Sequence, residues 1–572
     1  MRGMLDHMAF GSQAVRVGSV RGGVSLAVFF LLAMVFLALT MGRYVNPYDE
    51  GLILYGTTLV MDGAIPHRDF YVIYGPGQFY LLAALFKIFG VSVLVERAYD
   101  LVVRAIIALL VLIVVNQVAP RVQALIAAAA CLVYLAFFQA YGSAMYPALV
   151  AVLASAAFLN PALARPAFAP GLFAAGVCAG VAVLMRYDVG IGIAGAECAV
   201  LCVHAWFERV DTAQGIGAAI RALLWFGLGV AIVVVPVAVA FVMLGVIPDL
   251  ISQFAIYTPA YVKMRSLPFP GLSMLRENPA KLSVYLPLLM CLAALQTVFV
   301  IARQKRNNVG IREPAGPWQT SRAALQYMLL LLVALTLVLF AKGIVRTAME
   351  MALITTLALA GALAQPITGR GKIGLGISAL AILGTILFGV SCLRPEAYRA
   401  LSNIAWAKDP ASWSLPANGV PPELGSCRLP ADLERLACFR LPLETVETIR
   451  YVQQHTAPGD PVFVGLSRHD LFYANDITLY FSMNRRAATK WYEFDSGLTT
   501  LAPLQRVIVG ELQRAKPVLV VLESTWENMR EPNASAISSG VTILDDYLRQ
   551  TFEPVATFGP YTVLRVRTAE RL

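Results

Sequence analysis

The sequence predicts an α-helical polytopic membrane protein with a small α/β domain at its C-terminal end. Three observations support this fold class. Of the 572 residues, 58% are hydrophobic and only 14% are charged. Apolar stretches of membrane-spanning length recur up to residue 392, and 20 of the 35 acidic residues fall within residues 393–572. Soluble domains carry roughly 25% charged residues, and disordered chains are poor in apolar ones, so both classes are excluded.

The membrane part contains about eleven stretches that meet the requirement of about 20 mostly apolar residues per span. The candidate spans are 24–42, 99–118, 122–140, 145–160, 169–185, 189–207, 221–245, 283–302, 324–341, 348–365 and 374–392. The first follows Arg2, Arg16 and Arg21 as the apolar region of a signal peptide would. Since no small-residue cleavage site comes after it, we interpret it as a retained helix.

The segment Pro76–Gly90 decides the topology, because it is only about 15 residues long, or about 22 Å as a helix. If it crosses the membrane, the basic loop 303–323 faces outward; if it lies along the interface, that loop is cytoplasmic, as the positive-inside rule requires. We therefore predict an interfacial helix. The predicted organisation is a cytoplasmic N-terminus (1–23), a transmembrane domain (24–392) with an outward first loop (43–98), and an outward C-terminal domain (393–572).

The net charge of +10 fits the same topology. The basic residues fall in short clusters between apolar stretches, which is how membrane proteins retain loops in the cytoplasm. They form no basic stripe and no nucleic-acid-binding motif, so no nucleic-acid partner is expected.

The C-terminal domain alternates helical and strand-like segments, which favours a short parallel or mixed sheet. Helices are predicted near 442–456, 502–515 and 542–550, and strands near 462–465, 518–522, 552–558 and 561–566. Cys427 and Cys438 have ten residues between them in this domain, and an oxidising compartment would let them form a disulfide. The segment 485–492 mixes charged and aromatic residues, which is typical of a solvated face or of a surface that contacts glycans.

The first outward loop concentrates charge that is scarce elsewhere in the membrane part. Within residues 46–80 its acids are Asp49, Glu50, Asp62 and Asp69, and five tyrosines are interleaved with them. A solvated loop that helps to set topology would explain the pattern, since tyrosines favour membrane interfaces. A paired carboxylate directly after a span also suits acid–base chemistry.

Three segments of this loop carry a family resemblance: Asp49-Glu50, then Gly63-Ala64-Ile65-Pro66-His67-Arg68-Asp69-Phe70, then Tyr74-Gly75-Pro76-Gly77. With one span before them and an apolar helix after them, they resemble the GT-C superfamily of polytopic glycosyltransferases, which use lipid-phosphate-linked sugars. Similarity is greatest to the bacterial group related to protein O-mannosyltransferases, lipid A aminoarabinose transferases and rhizobial galacturonosyltransferases. The chain departs from the family at the second outward turn, where 139–143 contain no acid.

The resemblance implies that Asp49 acts as general base on an acceptor hydroxyl and that Glu50 orients the acceptor or Asp49 itself. The leaving phosphate requires cationic or amide donors. Arg186 has Asp188 as an alternative partner, Arg346 has Glu350, and Arg104 is expected to pair with Asp100 inside its helix. The expected substrate-binding residues are His67, Arg68, Asp69, Tyr74, Arg186, Lys263, Arg265, Lys342 and Arg346.

The resemblance thus implies a hexosyl- or pentosyltransferase at the periplasmic face of the bacterial inner membrane. It moves a sugar from a polyprenyl-phosphate donor to a glycan, lipid or protein acceptor, in contact with membrane lipid and without a cofactor or metal. Two other classes remain open, a transporter or flippase of envelope lipid or glycan and a non-catalytic envelope assembly protein. The scarcity of charge within the spans disfavours transport.

Overall fold

A computed structural model describes residues 20–117, 121–137, 139, 141–164, 169–208, 213–266, 393–405, 407–408, 427 and 429–567. The predicted spans 283–302, 324–341, 348–365 and 374–392 lie outside the described residues, and so do Lys342 and Arg346.

Each predicted span in the described part corresponds to a helix. These helices are Val20–Leu39, Val93–Asn116, Arg121–Phe137, Met145–Ala164, Ala169–Met185, Tyr187–Glu208 and Ala213–Met243. Among the described residues, three stretches are long and apolar enough to cross a membrane: Val93–Asn116, Met145–Ala162 and Gly217–Met243. The helices pack closely through small residues. At Gly176, for example, any side chain would clash, because an added Cβ would lie 2.0 Å from the Phe226 carbonyl oxygen. Small residues at such crossings let helix backbones approach closely in the absence of a hydrophobic driving force.

The segment with ambiguous topology forms the helix Gly77–Phe89. Its 13 residues extend about 20 Å, less than the hydrocarbon thickness of about 30 Å. Phe79 and Phe86 are buried in a core shared with the first loop, whereas Ile88 and Phe89 are exposed. One face of the helix is therefore buried against the rest of the protein, and its C-terminal end exposes apolar side chains. This is the arrangement expected of a helix that lies along the membrane interface.

The C-terminal part is built on a five-stranded mixed sheet, in agreement with the predicted small α/β domain. Strands β1 (Pro461–Leu466), β2 (Arg486–Ala487), β3 (Leu519–Glu523), β4 (Phe552–Phe558) and β5 (Tyr561–Val566) are arranged in the order β2-β1-β3-β5-β4. The first three are parallel, and β5 pairs antiparallel with both β3 and β4. The helices are Leu443–His455, Thr478–Met483, Ala502–Ala515 and Ile543–Thr551. Cys427 and Cys438 form a disulfide.

The first loop and the C-terminal part share one hydrophobic core. Leu52, Phe70 and Phe79 of the loop belong to the same buried cluster as Val464 and Tyr480. Backbone hydrogen bonds join the two parts as well, because the carbonyl of residue 47 accepts from the amides of residues 477 and 478. The loop is thus a packed element of the C-terminal part and not a solvated connection.

A third element covers this junction. It comprises the helix Ile247–Ser252, a π-helical turn at Gln253–Tyr257 and the helix Thr258–Arg265. Lys490 Nζ lies 3.0 Å from Asp249 Oδ1. We call residues 247–265 the covering segment.

Candidate active site

Asp49 opens the helix Asp49–Met61 at the junction of the first loop with the C-terminal part. The turn before it is fixed by Asn46, whose Oδ1 accepts hydrogen bonds from the backbone N–H groups of Tyr48 and Asp49, both at 2.9 Å. Gly142, with φ of +70°, lies so close that a Cβ there would be 3.0 Å from Glu50 Cα. The backbone of the second outward turn, 139–143, therefore packs directly against the first turn of this helix.

Glu50 is held in a fully buried ion pair with Arg97. Arg97 Nε lies 2.6 Å from Glu50 Oε1, and its Nη2 lies 2.7 Å from Oε2. Oε2 also accepts the Asn46 backbone N–H at 2.9 Å, and the guanidinium lies 3.5 Å from the centre of the Tyr141 ring. Since both carboxylate oxygens are engaged by protein groups, these contacts favour the second of the two expected roles for Glu50, the orientation of Asp49.

Two carboxyl groups that the sequence did not single out, Glu493 and Asp495, lie near Asp49. The Tyr48 hydroxyl lies 2.7 Å from Asp495 Oδ1 and 3.2 Å from Glu493 Oε1, and both acids are buried. Burial raises the pKa of Glu493 well above its usual range, and the negative charges of Asp495 and Asp49 raise it further. Burial and mutual repulsion therefore favour a state in which the Glu493–Asp495 pair retains a proton.

Arg265 brings a positive charge to the same cluster. Burial raises the pKa of Asp495, while the Tyr48 hydrogen bond and the charge of Arg265 lower it. Arg265 Nη1 also pairs with Glu531 at 3.2 Å. The structure thus brings together the sequence candidates Asp49 and Arg265, whereas Lys263 on the same helix is exposed.

Aromatic rings line the cluster on the side of the covering segment. Tyr71 stacks on Trp491 with ring centres 4.9 Å apart, and Tyr257 meets the indole edge-on at 5.3 Å. Trp491 and Tyr492 are both buried. The interpretation of residues 485–492 as a solvated face is therefore wrong for Trp491 and Tyr492, whose rings pack between the first loop and the sheet.

His67 ties the first loop to the covering segment. Its Nδ1 lies 2.8 Å from Gln253 Oε1, and its Nε2 lies 3.0 Å from the Tyr187 hydroxyl. Gln253 Nε2 donates to the Val72 carbonyl at 2.6 Å. The amide oxygen Oε1 therefore faces His67 and accepts a hydrogen bond from the Nδ1–H group. Burial lowers the pKa of His67 to about 4, which keeps the ring neutral with Nε2 as the acceptor.

Arg186 stands at the end of the helix Ala169–Met185 and points toward the loop. Its guanidinium lies 5.8 Å from the centre of the Tyr74 ring, and its Nε pairs with Asp188 at 3.0 Å. Two sequence candidates therefore meet here, and the alternative partner Asp188 is also engaged. The Arg186 side chain is 18% exposed.

Arg68 and Asp69 form a half-exposed ion pair on the surface of the loop. Arg68 Nε lies 2.8 Å from Asp69 Oδ1, and Nη1 donates to the Leu244 carbonyl at 3.0 Å. Asp69 Oδ2 accepts the Ile65 backbone N–H. These contacts connect the loop to the end of the helix Ala213–Met243.

Within the described residues, no group of three or more His, Cys, Asp or Glu side chains could hold a metal ion.

Together, the helical membrane part, the packed first loop and the C-terminal α/β part define a polytopic protein with an acidic site at their junction. The same fold is found in a solved crystal structure. The crystal structure of ArnT from Cupriavidus metallidurans bound to undecaprenyl phosphate superposes with a TM-score of 0.51 at 14% identity, over 96% of this chain and 99% of that chain.

A second solved structure with similarity is the archaeal oligosaccharyltransferase AglB from Archaeoglobus fulgidus, in complex with an inhibitory peptide and a dolichol-phosphate. It has a TM-score of 0.48 at 11% identity, over 88% of this chain and 70% of that chain. The fold assignment rests on the ArnT match. No protein-family model matches the sequence, and no curated protein matches it.

Proposed function

We propose that the protein is a membrane glycosyltransferase that moves a sugar from a polyprenyl-phosphate donor to a hydroxyl group of an envelope glycan, lipid or protein. In this proposal the protein spans the bacterial inner membrane about eleven times, with residues 1–23 in the cytoplasm. The transmembrane domain is 24–392, and the first loop and the domain 393–572 face the periplasm. The observation that carries the proposal is the placement of Asp49 at a junction of three elements in a GT-C fold.

Asp49 is the general base. An acceptor hydroxyl that attacks the anomeric carbon must lose its proton, and a carboxylate within hydrogen-bonding reach can accept it. The turn at Asn46 and the Glu50–Arg97 pair hold the start of the helix in place, so that the orientation of Asp49 is set before a substrate arrives.

The leaving lipid phosphate carries negative charge that grows as the glycosidic bond breaks, and cations placed there stabilise it. Arg186 and Arg265 fit this role, since Arg186 lies beside Tyr74 of the first loop and Arg265 lies beside the acid cluster. Arg68 and Lys263 lie on the outer surface of the same region, where they suit the attraction of an anionic headgroup. Lys342 and Arg346 remain candidates from the sequence.

The test is Asp49→Asn in a strain in which loss of the gene alters an envelope glycan. We expect the variant to be made at the wild-type level and to leave the glycan in its altered form, because the amide cannot accept the proton. The control is Asp62→Asn, which makes the same chemical change at an exposed position of the same loop and should restore the glycan. Full restoration by Asp49→Asn would contradict the assignment of the base.

A topology measurement tests the remaining part of the proposal. Protease added to intact spheroplasts should cleave within 393–572, while protease added to inverted vesicles should leave that region intact. Cleavage from the cytoplasmic side alone would place the site on the wrong face for a periplasmic transferase.

A further inference from the structure

We propose that Glu493 and Asp495, together with Tyr48 and Tyr71, form a sugar-binding site that grips the hydroxyl groups of a glycosyl ring beside Asp49. This inference rests on the proposed function and adds to it the residues that recognise the sugar.

The first observation is a set of buried polar atoms that lack a hydrogen-bond partner within the described part of the chain. Glu493 Oε2, Asp495 Oδ2 and the Tyr71 hydroxyl all belong to this set. Leaving such a group unsatisfied costs about 1–3 kcal/mol, and more when it is charged. Burial raises the pKa of Tyr71, and the negative charges of Asp495 and Glu493 raise it further. The two acceptor oxygens and the Tyr71 hydroxyl therefore belong to one buried region of the site.

A second acid pair in the same domain shows what a purely structural arrangement looks like. Asp476 accepts hydrogen bonds from the Thr478 and Tyr561 hydroxyls, and Glu523 Oε2 accepts the Asp476 backbone N–H at 2.8 Å. The same domain can thus satisfy a buried carboxyl pair from its own groups. Glu493 and Asp495 hydrogen-bond to each other and to Tyr48, and within the described part of the chain one oxygen of each acid is left without a partner.

The surroundings select a sugar as the ligand. A pair of neighbouring hydroxyls both donates and accepts hydrogen bonds, which suits a carboxyl pair that retains one proton. The stacked Tyr71 and Trp491 rings make the border of the cluster apolar and aromatic, and the indole Nε1 is a further buried donor without a partner in the described part. A divalent cation fits less well, because the cluster includes Arg265 and its acids hold a proton, whereas such ions prefer several ionised oxygen ligands.

The covering segment explains how the site is closed. Met264 of this segment lies against Gly497, so close that a Cβ at the glycine would be 2.3 Å from Met264 Cγ. Tyr257 lies over the Trp491 ring. Entry of a sugar therefore requires movement of residues 247–265, whose π-helical turn is a form that occurs often at functional sites.

The experiment measures binding of methyl glycosides of glucose, mannose, galactose and N-acetylglucosamine to the full chain in nanodiscs, by saturation-transfer NMR. We expect at least one glycoside to bind the wild type. Asp495→Asn and Tyr71→Phe should each weaken that binding about tenfold, the loss of one hydrogen bond to a charged or buried group. The control Glu523→Gln should bind as the wild type does. Tyr71→Phe keeps the ring and removes only an unpartnered hydroxyl, so it should fold with wild-type stability.

Undecaprenyl phosphate serves as a second probe in the same nanodiscs. Binding of this sugar-free lipid should be unchanged in Asp495→Asn and Tyr71→Phe, because the site recognises the glycosyl ring. Unchanged glycoside binding in both variants would overturn the proposal, and so would a wild type that binds none of the glycosides. Asp49→Asn separates the two proposals: restoration of the envelope glycan by that variant refutes the transferase mechanism, while glycoside binding still reports on Asp495 and Tyr71.

Discussion

The Glu50–Arg97 pair provides the sharpest test of how the loop holds Asp49. In Arg97→Met the Glu50 carboxylate loses both guanidinium contacts, Glu96 loses its ion pair at 3.6 Å, and the carbonyls of Gly42 and Tyr44 lose the guanidinium as donor. Removing one partner of a buried ion pair costs about 3–5 kcal/mol, because the remaining charge is left without compensation.

The assay is thermal unfolding of the purified protein in detergent, followed by tryptophan fluorescence. Arg97→Met should unfold at a clearly lower temperature than the wild type. The double variant Arg97→Met/Glu50→Leu should recover most of the loss, since an apolar pair of similar volume carries no buried charge. The matched control is Arg549→Met, which breaks an ion pair with Asp546 that is more than half exposed on the Arg549 side and should leave the unfolding temperature unchanged. A single variant as stable as the wild type, or a double variant no better than the single, would refute the reasoning.

Three further predictions concern pH, close packing and the disulfide. Burial lowers the pKa of His67 from 6.5 to about 4, so the unfolded state binds a proton more readily than the folded state between these two values. The free energy of unfolding should therefore fall by about 3 kcal/mol as the pH drops from 6.5 to about 4, and it should not depend on His67 above that range. In pH-dependent melting curves, His67→Asn should flatten this slope. Gly51→Ala should destabilise the junction, because its Cβ would come within 2.6 Å of the backbone nitrogen of residue 478, whereas Gly510→Ala, with open space around it, should be neutral or stabilising in the same melts. Reduction of Cys427–Cys438 should lower the free energy of unfolding by about 3 kcal/mol, as expected for a loop of about ten residues; equal melting temperatures with and without dithiothreitol would contradict this.

Periodic and local features were the ones that could be predicted from the sequence. The helix predicted at 502–515 is observed as Ala502–Ala515, and the strands predicted near 552–558 and 561–566 are observed over the same residues. The Arg104–Asp100 pair is present at 2.5 Å, as its spacing of four residues indicated. Each of these follows from contacts between residues close in the chain.

The acid cluster could not be predicted, because it depends on contacts between distant residues. Tyr48 and Asp495 are 447 positions apart, and nothing local distinguishes a buried Asp495 from a solvated one. The pairing of Glu50 with Arg97 was missed for a related reason. Arg97 follows Glu96 at the start of an apolar helix, where a local or interfacial role is the simplest interpretation, and only the fold brings it to the loop. The aromatic run before Glu493 was the one available signal.

The shared core of the first loop and the C-terminal part has a consequence for biosynthesis. Pro47 and Ile477, joined by a backbone hydrogen bond, are separated by 430 residues. At a synthesis rate of roughly 5–20 residues per second, the ribosome adds Ile477 about 20 to 90 seconds after it adds Pro47. During this interval the apolar faces of the loop lack their partner, and Tyr48 lacks both of its acids. The acidic site at this junction is therefore assembled only at the end of translation, so that a chain cut short in the membrane carries Asp49 without an organised site around it.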